Sequence, residues 1–461
     1  MRTYPEYKDS GVEWIGEIPK GWIEKRFKHL NQVVYSGEWG VEPDGDQIEN
    51  LVNVIRVTEF DYKKLKIKPR IPTIRSLVLE TTSPKLVRYG DLILEKSGGG
   101  EKTPVGRLVM VRHDVTTPTI NSNFTNLIRT DDRYTDPRFV TYLYHTCYNL
   151  GVTRRNIKQT TGIQNLFLYG IFDEKIFIPP LPEQKQISDY LDRKTQQIDD
   201  LIEKTERKIE LLKEQRYSLI NHCVTKGLEP NVEMKDSGVE WIGEIPKGWK
   251  LSRIKHVKSK EKYSLVDGPF GSDLKSEHFV DDGKVIVIES GFVTKGSFIQ
   301  TRDFKKISYS HFEKVKRSQC KEGDIIIAKI GEYYGMSSVL PKLSSESVIS
   351  GNSCKLTVSI EVNREFVHLF FILLRYKGVI QREVNQTGQP FISLDVINNL
   401  PILVPPRDEQ DQIINFLNER LQNNDQIVDT ETKRIDLLKE YRQSLISSAV
   451  TGKVRVTEDM I

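Results

Sequence analysis

The sequence predicts a mixed α/β (α+β) chain: two globular inserts linked by an antiparallel pair of long helices, with a pseudo-two-fold internal repeat. Three observations lead there. The segment KDSGVEWIGEIPKGW, Lys8 to Trp22, recurs letter for letter from Lys235 to Trp249. A second block, running from Pro179-Pro180 through Glu183-Gln184 to Ser218-Leu219-Ile220, returns at Pro405-Pro406, Glu409-Gln410 and Ser444-Leu445-Ile446. The stretches between these blocks barely resemble one another. A duplicated scaffold with two different inserts suits a molecule that reads two things with one geometry.

Taken in order, residues 1–22 are the first repeated segment, 23–178 the first insert and 179–227 the first long helix. Residues 228–249 are a linker with the second repeated segment, 250–404 the second insert, 405–453 the second helix and 454–461 a tail. Both inserts read as mixed α/β. Leu92-Ile93-Leu94, Leu108–Val111, Val285–Ile288 and Asp324–Ala328 are short apolar runs with strand character. Helical periodicity falls at Arg138–Leu150 and Arg364–Tyr376. Gly90-Asp91 and Gly323-Asp324 each introduce a strand followed by a glycine-rich turn, so the inserts read as one fold with diverged surfaces.

The helices follow from a heptad seam. Leu191, Thr195, Ile198, Ile202, Thr205, Ile209, Leu212, Arg216 and Leu219 recur at steps of four and three. The second copy keeps register at Leu417, Leu421, Asn424, Val428, Glu431, Ile435, Leu438, Arg442 and Leu445. No Pro or Gly interrupts Glu183–Val224 or Glu409–Val450, while Pro182, Pro405-Pro406, Gly227 and Gly452 mark the ends. At 1.5 Å per residue each helix is about 60 Å long. An apolar stripe that narrow needs a partner, and the equivalent helix supplies one. The polar seam positions set register in coiled coils, or face other proteins.

Composition narrows the function. The chain has 461 residues, 38% apolar and 29% charged, and a formal net charge of +4. That is an ordinary globular balance, so nucleic-acid binding must rest on local patches such as Arg154-Arg155-Asn156-Ile157-Lys158 and Lys314–Arg317. The four cysteines form no CxxC pair and fit reduced, buried thiols. The N-terminus lacks the apolar core of a secretion signal and no apolar run is long enough to span a bilayer, so a cytoplasmic chain is expected.

Searches for catalytic patterns return little. Lys96–Thr103 is glycine-rich, but no Gly stands five residues before a Gly-Lys-Ser/Thr. HExxH and paired-Cys metal patterns are absent from the sequence. Pro43-Asp44 with Asp61-Tyr62-Lys63 matches the PD…DxK string of metal-dependent nucleases, yet it reads as a turn and has no counterpart in the second repeat. A self-contained restriction endonuclease or methyltransferase would need a catalytic motif beyond this. A protein adaptor without DNA affinity is the other alternative. The glycine-rich turns favour binding: Gly admits backbone close to a phosphate, and Lys, Arg and Asn supply donors to phosphate or base edges.

Taken together, the Trp14–Trp22 opening repeated at Trp241–Trp249, the Ile178–Gln184 lead-in echoed at Val404–Gln410, and the alternation of insert and helix resemble the specificity subunit of a type I restriction-modification system. The resemblance covers essentially the whole chain. It implies two target recognition domains, each reading half of a split, asymmetric site in double-stranded DNA. It also implies that the conserved helices dock two adenine methyltransferase (modification) subunits, to which restriction/translocase subunits add. The chain itself would be non-catalytic and hold no cofactor or metal; S-adenosylmethionine, ATP and Mg²⁺ would belong to the partners. A rod of the estimated length can hold two readers about 34–36 Å apart, one turn of B-DNA. Base contacts do not transfer by motif in this family. DNA-binding candidates are therefore donors and rings on expected turns: Lys96, Ser97, Arg107, Asn121, Asn123, Arg154, Arg155 and Lys158 in the first insert. In the second they are Phe270, Ser272, Lys275, Lys329, Tyr333, Tyr334, Asn352 and Gln386.

Overall fold

The computed structural model describes residues 2–43, 50–80, 83–159, 162–294, 296–384 and 389–460. The chain divides into two compact units, Met1–Glu206 with Lys433–Ile461, and Arg207–Thr432. The division cuts both long helices, Leu181–Lys226 and Arg407–Val450, so each unit holds the start of one and the end of the other. This follows from antiparallel pairing, which sets the beginning of each helix beside the end of its partner. Pro182 lies in the first helical turn, where a missing N–H leaves no bond unmade. Gly227 and Gly452 follow the helix ends at φ +80° and +75°, the left-handed turn that a side chain resists.

The seam closes with apolar and polar contacts. In the first unit Leu191, Ile198 and Leu445 are buried in the main core, with Ile202 and Leu438 packed against it. In the second, Leu417 is buried and Leu219 packs on its core. Ile209 and Ile435 are buried, and Leu212 and Val428 half-buried. Polar groups pair across it. Within the second unit Lys208 Nζ meets Glu431 Oε1 at 2.5 Å, Asn424 Nδ2 donates to the Leu212 carbonyl at 3.1 Å, and Arg216 Nε reaches Asp425 at 3.1 Å. From Lys208 to Arg216 on one helix, the partners on the other move back from Glu431 to Asn424 and Asp425, which is the antiparallel sense. Within the first unit Arg442 Nε donates to Asp199 at 2.9 Å.

The hydrogen bonds explain why two short motifs recur. Trp22 and Trp249 are buried, and each donates its indole N–H to the first-turn glutamate of a long helix, Glu183 at 3.3 Å and Glu409 at 2.9 Å. The next residue is a buried glutamine. Gln184 accepts from the Asp136 amide at 3.0 Å and donates to the Pro179 carbonyl at 2.9 Å. Gln410 accepts from the Asn363 amide and donates to the Pro405 carbonyl, both at 2.8 Å. Asp136 and Asn363 in turn cap helices Pro137–Asn149 and Arg364–Tyr376 by accepting from two first-turn amides each. The Gly-Trp and Glu-Gln pairs thus fasten the scaffold to an insert helix, a task set by geometry common to both units. A buried amide side chain must find partners, and these find them in the same places.

Each insert is built on a central sheet. In the first unit its order is Asn31–Ser36, Thr125–Thr130, Leu92–Glu95, Leu108–Met110, Lys66–Ile67, Phe60–Asp61. In the second it is Leu265–Asp267, Ser353–Leu356, Ile325–Ala328, Ser337–Val339. The first four strands correspond in order and sense, antiparallel throughout. The strands following Gly90-Asp91 and Gly323-Asp324 are fully buried, as continuous Leu/Ile runs require of a central strand. All four cysteines are free and buried. Among the described residues no helix is long and apolar enough to cross a membrane.

Candidate nucleic-acid interface

Although the inserts share little sequence, one end of their central sheets carries the same backbone hydrogen bonds. Gly37 N donates to Thr125 O at 3.1 Å, and Gly268 N to Ser353 O at 3.0 Å. Lys96 N donates to Phe124 O at 2.9 Å, and Lys329 N to Asn352 O at 2.8 Å. Lys96 O accepts from Leu166 N at 2.8 Å, and Lys329 O from Ile392 N at 2.9 Å. Thr125 N donates to Ser122 O at 2.9 Å, and Ser353 N to Ser350 O at 3.0 Å. Three loops therefore converge at this end of each unit: those after Asn31–Ser36 and Leu92–Glu95 and the one before Thr125–Thr130, with their equivalents in the second. Convergence depends on a glycine at the same position of each unit. A Cβ on Gly37 would stand 2.0 Å from the Ser122 carbonyl oxygen, and one on Gly268 1.9 Å from that of Ser350.

Two residues beyond each of these glycines an aromatic ring reaches the surface. Trp39 is 37% exposed with the Arg75 guanidinium 4.7 Å from its ring centre. Phe270 is 48% exposed, with Lys329 Nζ 4.8 Å from its ring centre. In the first unit the loops enclose a cleft of about 520 Å³ lined by Trp39, Arg56, Ser97, Arg107, Asn123 and Phe124, among others. Flat rings and cations around a concave opening present stacking faces and charge to bases and phosphates.

The candidates divide by burial. Lys96 is half-buried and donates to Ser36 Oγ at 2.5 Å; Ser97 Oγ donates to Asn165 Oδ1 at 2.7 Å. Ser97–Gly98 is the edge of a three-stranded ribbon with Gln164–Leu166 and Ile157–Gln159. Lys158, on the far strand of this ribbon, sits 4.2 Å over the Phe167 ring. Arg154 and Arg155, on the short helix Val152–Asn156 before it, are exposed, as is Asn123. In the second unit Phe270, Ser272, Lys275, Tyr333 and Asn352 are exposed.

Four candidates are occupied by the fold itself. Asn121 ends a buried strand and is 2% exposed, its amide donating to Thr125 O at 3.0 Å and Oγ1 at 3.1 Å. Arg107 grips Glu95, 1% exposed, through two bonds of 2.9 Å from Nε and NH2, and this contact holds the guanidinium above its ordinary pKa. Lys329 is buried and ion-paired with Asp267 at 2.7 Å. Tyr334 is buried, its backbone carbonyl accepting from Arg375 at 2.6 Å. These positions were expected to offer free donors or rings because they border glycine turns; instead Asn121, Lys329 and Tyr334 are buried and Arg107 is paired with Glu95. Gln386 lies outside the described residues, as does Asp44 of the nuclease-like string. Among the described residues no group of three or more His, Cys, Asp or Glu could hold a metal ion.

Sequence reasoning passed over Trp39, Arg56, Arg75 and Phe124. The one available signal was a small motif, Gly37-Glu38-Trp39 against Gly268-Pro269-Phe270, each following a strand. It is too short to notice until the backbone bonds align the two copies.

Known proteins place this architecture. A family model for the type I restriction modification DNA specificity domain matches residues 52–211 and 246–439. The specificity subunit of type I restriction enzyme MjaVIII from Methanocaldococcus jannaschii is 24% identical, over 94% of this chain and 97% of the relative. The MjaIX specificity subunit of the same organism is 23% identical over 99% and 98%. Among solved structures, a chain from work on complex assembly and conformational transition of the type I R-M system matches with TM-score 0.70 and 14% identity, covering 95% of this chain and 99% of that one. The HsdS subunit of Thermoanaerobacter tengcongensis matches with TM-score 0.51 and 14% identity, covering 95% and 98%. The solved structures speak to the fold alone. The family model spans most of the chain, in two copies. The chain belongs to the type I restriction modification DNA specificity family, whose members are recognition rather than catalytic subunits.

Proposed function

We propose that the chain reads an asymmetric, bipartite site in double-stranded DNA for a type I restriction-modification complex, one half-site per insert. Residues 23–178 and 250–404 are the target recognition domains, and 179–227 and 405–453 the conserved helices that dock two adenine methyltransferase subunits, with restriction/translocase subunits joining them. S-adenosylmethionine, ATP and Mg²⁺ act in those partners.

One observation carries the reading. Two inserts of unlike sequence present the same loop skeleton, with different side chains on it. A common skeleton gives each insert the same approach to a DNA groove. Unlike side chains make the two halves of the site differ. In the first unit Lys96, Ser97, Asn123, Arg154, Arg155 and Lys158 offer donors beside Trp39 and Phe124. In the second, Ser272, Lys275, Tyr333 and Asn352 do so beside Phe270. Donors to phosphates set position and those to base edges set sequence.

The test is a genome-wide map of N6-methyladenine in cells with and without this gene, restriction functions being left intact. Loss of methylation at a single split, asymmetric motif is the expected result. A methylome unchanged by deletion in cells that express the chain contradicts the proposal.

A further inference from the structure

Lys96 and Lys329 occupy one position of the shared skeleton, each donating its amide to the neighbouring loop and accepting on its carbonyl from a residue more than sixty positions on, Leu166 or Ile392. Ser36 and Asp267 likewise share a position: Ser36 pairs with Asn126 and Asp267 with Cys354, next to the residues that accept from Gly37 and Gly268. The two lysines are nevertheless in different electrostatic states. Lys329 is 5% exposed, its ammonium 2.7 Å from the Asp267 carboxylate and over the Phe270 ring. Lys96 is half-buried and its ammonium meets a neutral hydroxyl, Ser36 Oγ, at 2.5 Å. Among the described residues it forms no ion pair. The buried carboxylate next in sequence, Glu95, is taken by Arg107.

We infer that these equivalent lysines have unlike roles toward DNA: Lys96 is a phosphate contact of the first half-site, and Lys329 a positioning residue that holds the Phe270 loop and contributes no charge to binding. The inference rests on the DNA-reading role proposed above and divides it residue by residue. A lysine next to a carboxylate is already neutralised and releases no counterion from DNA, whereas a lysine against a hydroxyl keeps its full charge for a phosphate. In the second unit the aspartate at the serine position makes the difference, so exchanging the two residues should exchange the behaviour.

The readout is the slope of log affinity against log salt concentration for a mixed-sequence duplex, measured on the full chain with the subunits that co-purify with it. Lys96→Gln and Ser36→Asp should each flatten the slope by about 0.9, the share of one phosphate contact. Over a fourfold rise in salt that is about a 3.5-fold smaller loss of affinity. Asp267→Ser should steepen the slope by up to about 0.9, and Lys329→Gln should leave it unchanged. Should Lys329→Gln or Asp267→Ser fail to fold, as judged by circular dichroism, Lys96→Gln and Ser36→Asp decide, and an unchanged slope in both overturns the assignment. Equal flattening by Lys96→Gln and Lys329→Gln, or no change in slope with Asp267→Ser, overturns the assignment of roles while leaving the DNA-reading role standing. A wild-type complex that binds no duplex in a salt-dependent way overturns both.

Discussion

Arg107→Met should destabilise the first unit by an amount that follows from one buried ion pair. The substitution removes the two 2.9 Å bonds to Glu95 and leaves a carboxylate with 1% exposed side chain unpaired. Breaking a buried pair from one side costs about 3–5 kcal/mol. The expected loss is therefore about 3–5 kcal/mol. For a unit of this size each kcal/mol moves the melting temperature by about 2–4 °C. The second unit shows what repair looks like. The backbone bond Glu95 N to Arg107 O has its equivalent in Ala328 N to Met336 O, so an apolar pair fills the same two positions there. Glu95→Ala/Arg107→Met should accordingly recover to within about 1 kcal/mol of wild type, because no charge is left buried. Scanning calorimetry of the wild type, the single and the double variant gives the answer. A single variant melting within 2 °C of wild type at pH 7, taking ~2 °C as under 1 kcal/mol, or a double variant no better than the single, refutes this reasoning.

Other substitutions test other joints. Gly268→Ala puts a methyl 1.9 Å from the Ser350 carbonyl; displacing backbone of that kind costs about 1–3 kcal/mol. Circular dichroism should show the helices intact, while methylation in cells fails through the half-site that the second insert reads. Gln410→Ala strands the Asn363 amide and the Pro405 carbonyl, for a loss of about 1–3 kcal/mol measured by urea unfolding. Acid should weaken both units through two buried histidines. Desolvation pushes His145 down to about 3, with the Arg442 charge adding to it, and His368 down to about 4. Both folded values lie below the ordinary 6.5, so the unfolded chain binds the extra protons: stability is full above about pH 6.5 and is lost as pH falls toward the folded values. Each histidine contributes roughly 1 kcal/mol per pH unit in that window. His145→Gln should reduce the slope of stability against pH, and an unaltered slope in pH-dependent urea titrations counts against a buried neutral imidazole.

The long helices could be read from the sequence because their signal is local: four-three spacing with no breaker over forty residues needs no knowledge of the partner. The repeated Gly-Trp and Glu-Gln pairs were visible as repeats, but their task was not. It depends on Asp136 and Asn363, caps of helices that lie 48 and 47 positions from the glutamines they meet. Within the candidate interface, exposure was legible only in part. Arg154, Arg155, Lys158, Lys275 and Tyr333 are exposed as expected, because turns carry polar residues outward. Asn121 and Lys329 are buried instead, because burial is set by strands from elsewhere in the insert, and a buried donor looks like an exposed one in sequence. Trp39 went unseen for the converse reason. Its equivalence to Phe270 rests on backbone bonds, which any side chain can make, so the two inserts preserve the skeleton without preserving the letters.

The central claim is that each insert reads its own half of the DNA site. Its most direct test replaces residues 23–178 with the corresponding insert of another specificity subunit and maps N6-methyladenine in the same host. One half of the methylated motif should change while the other half stays as it was. A motif altered in both halves, or in neither while methylation persists, contradicts the account.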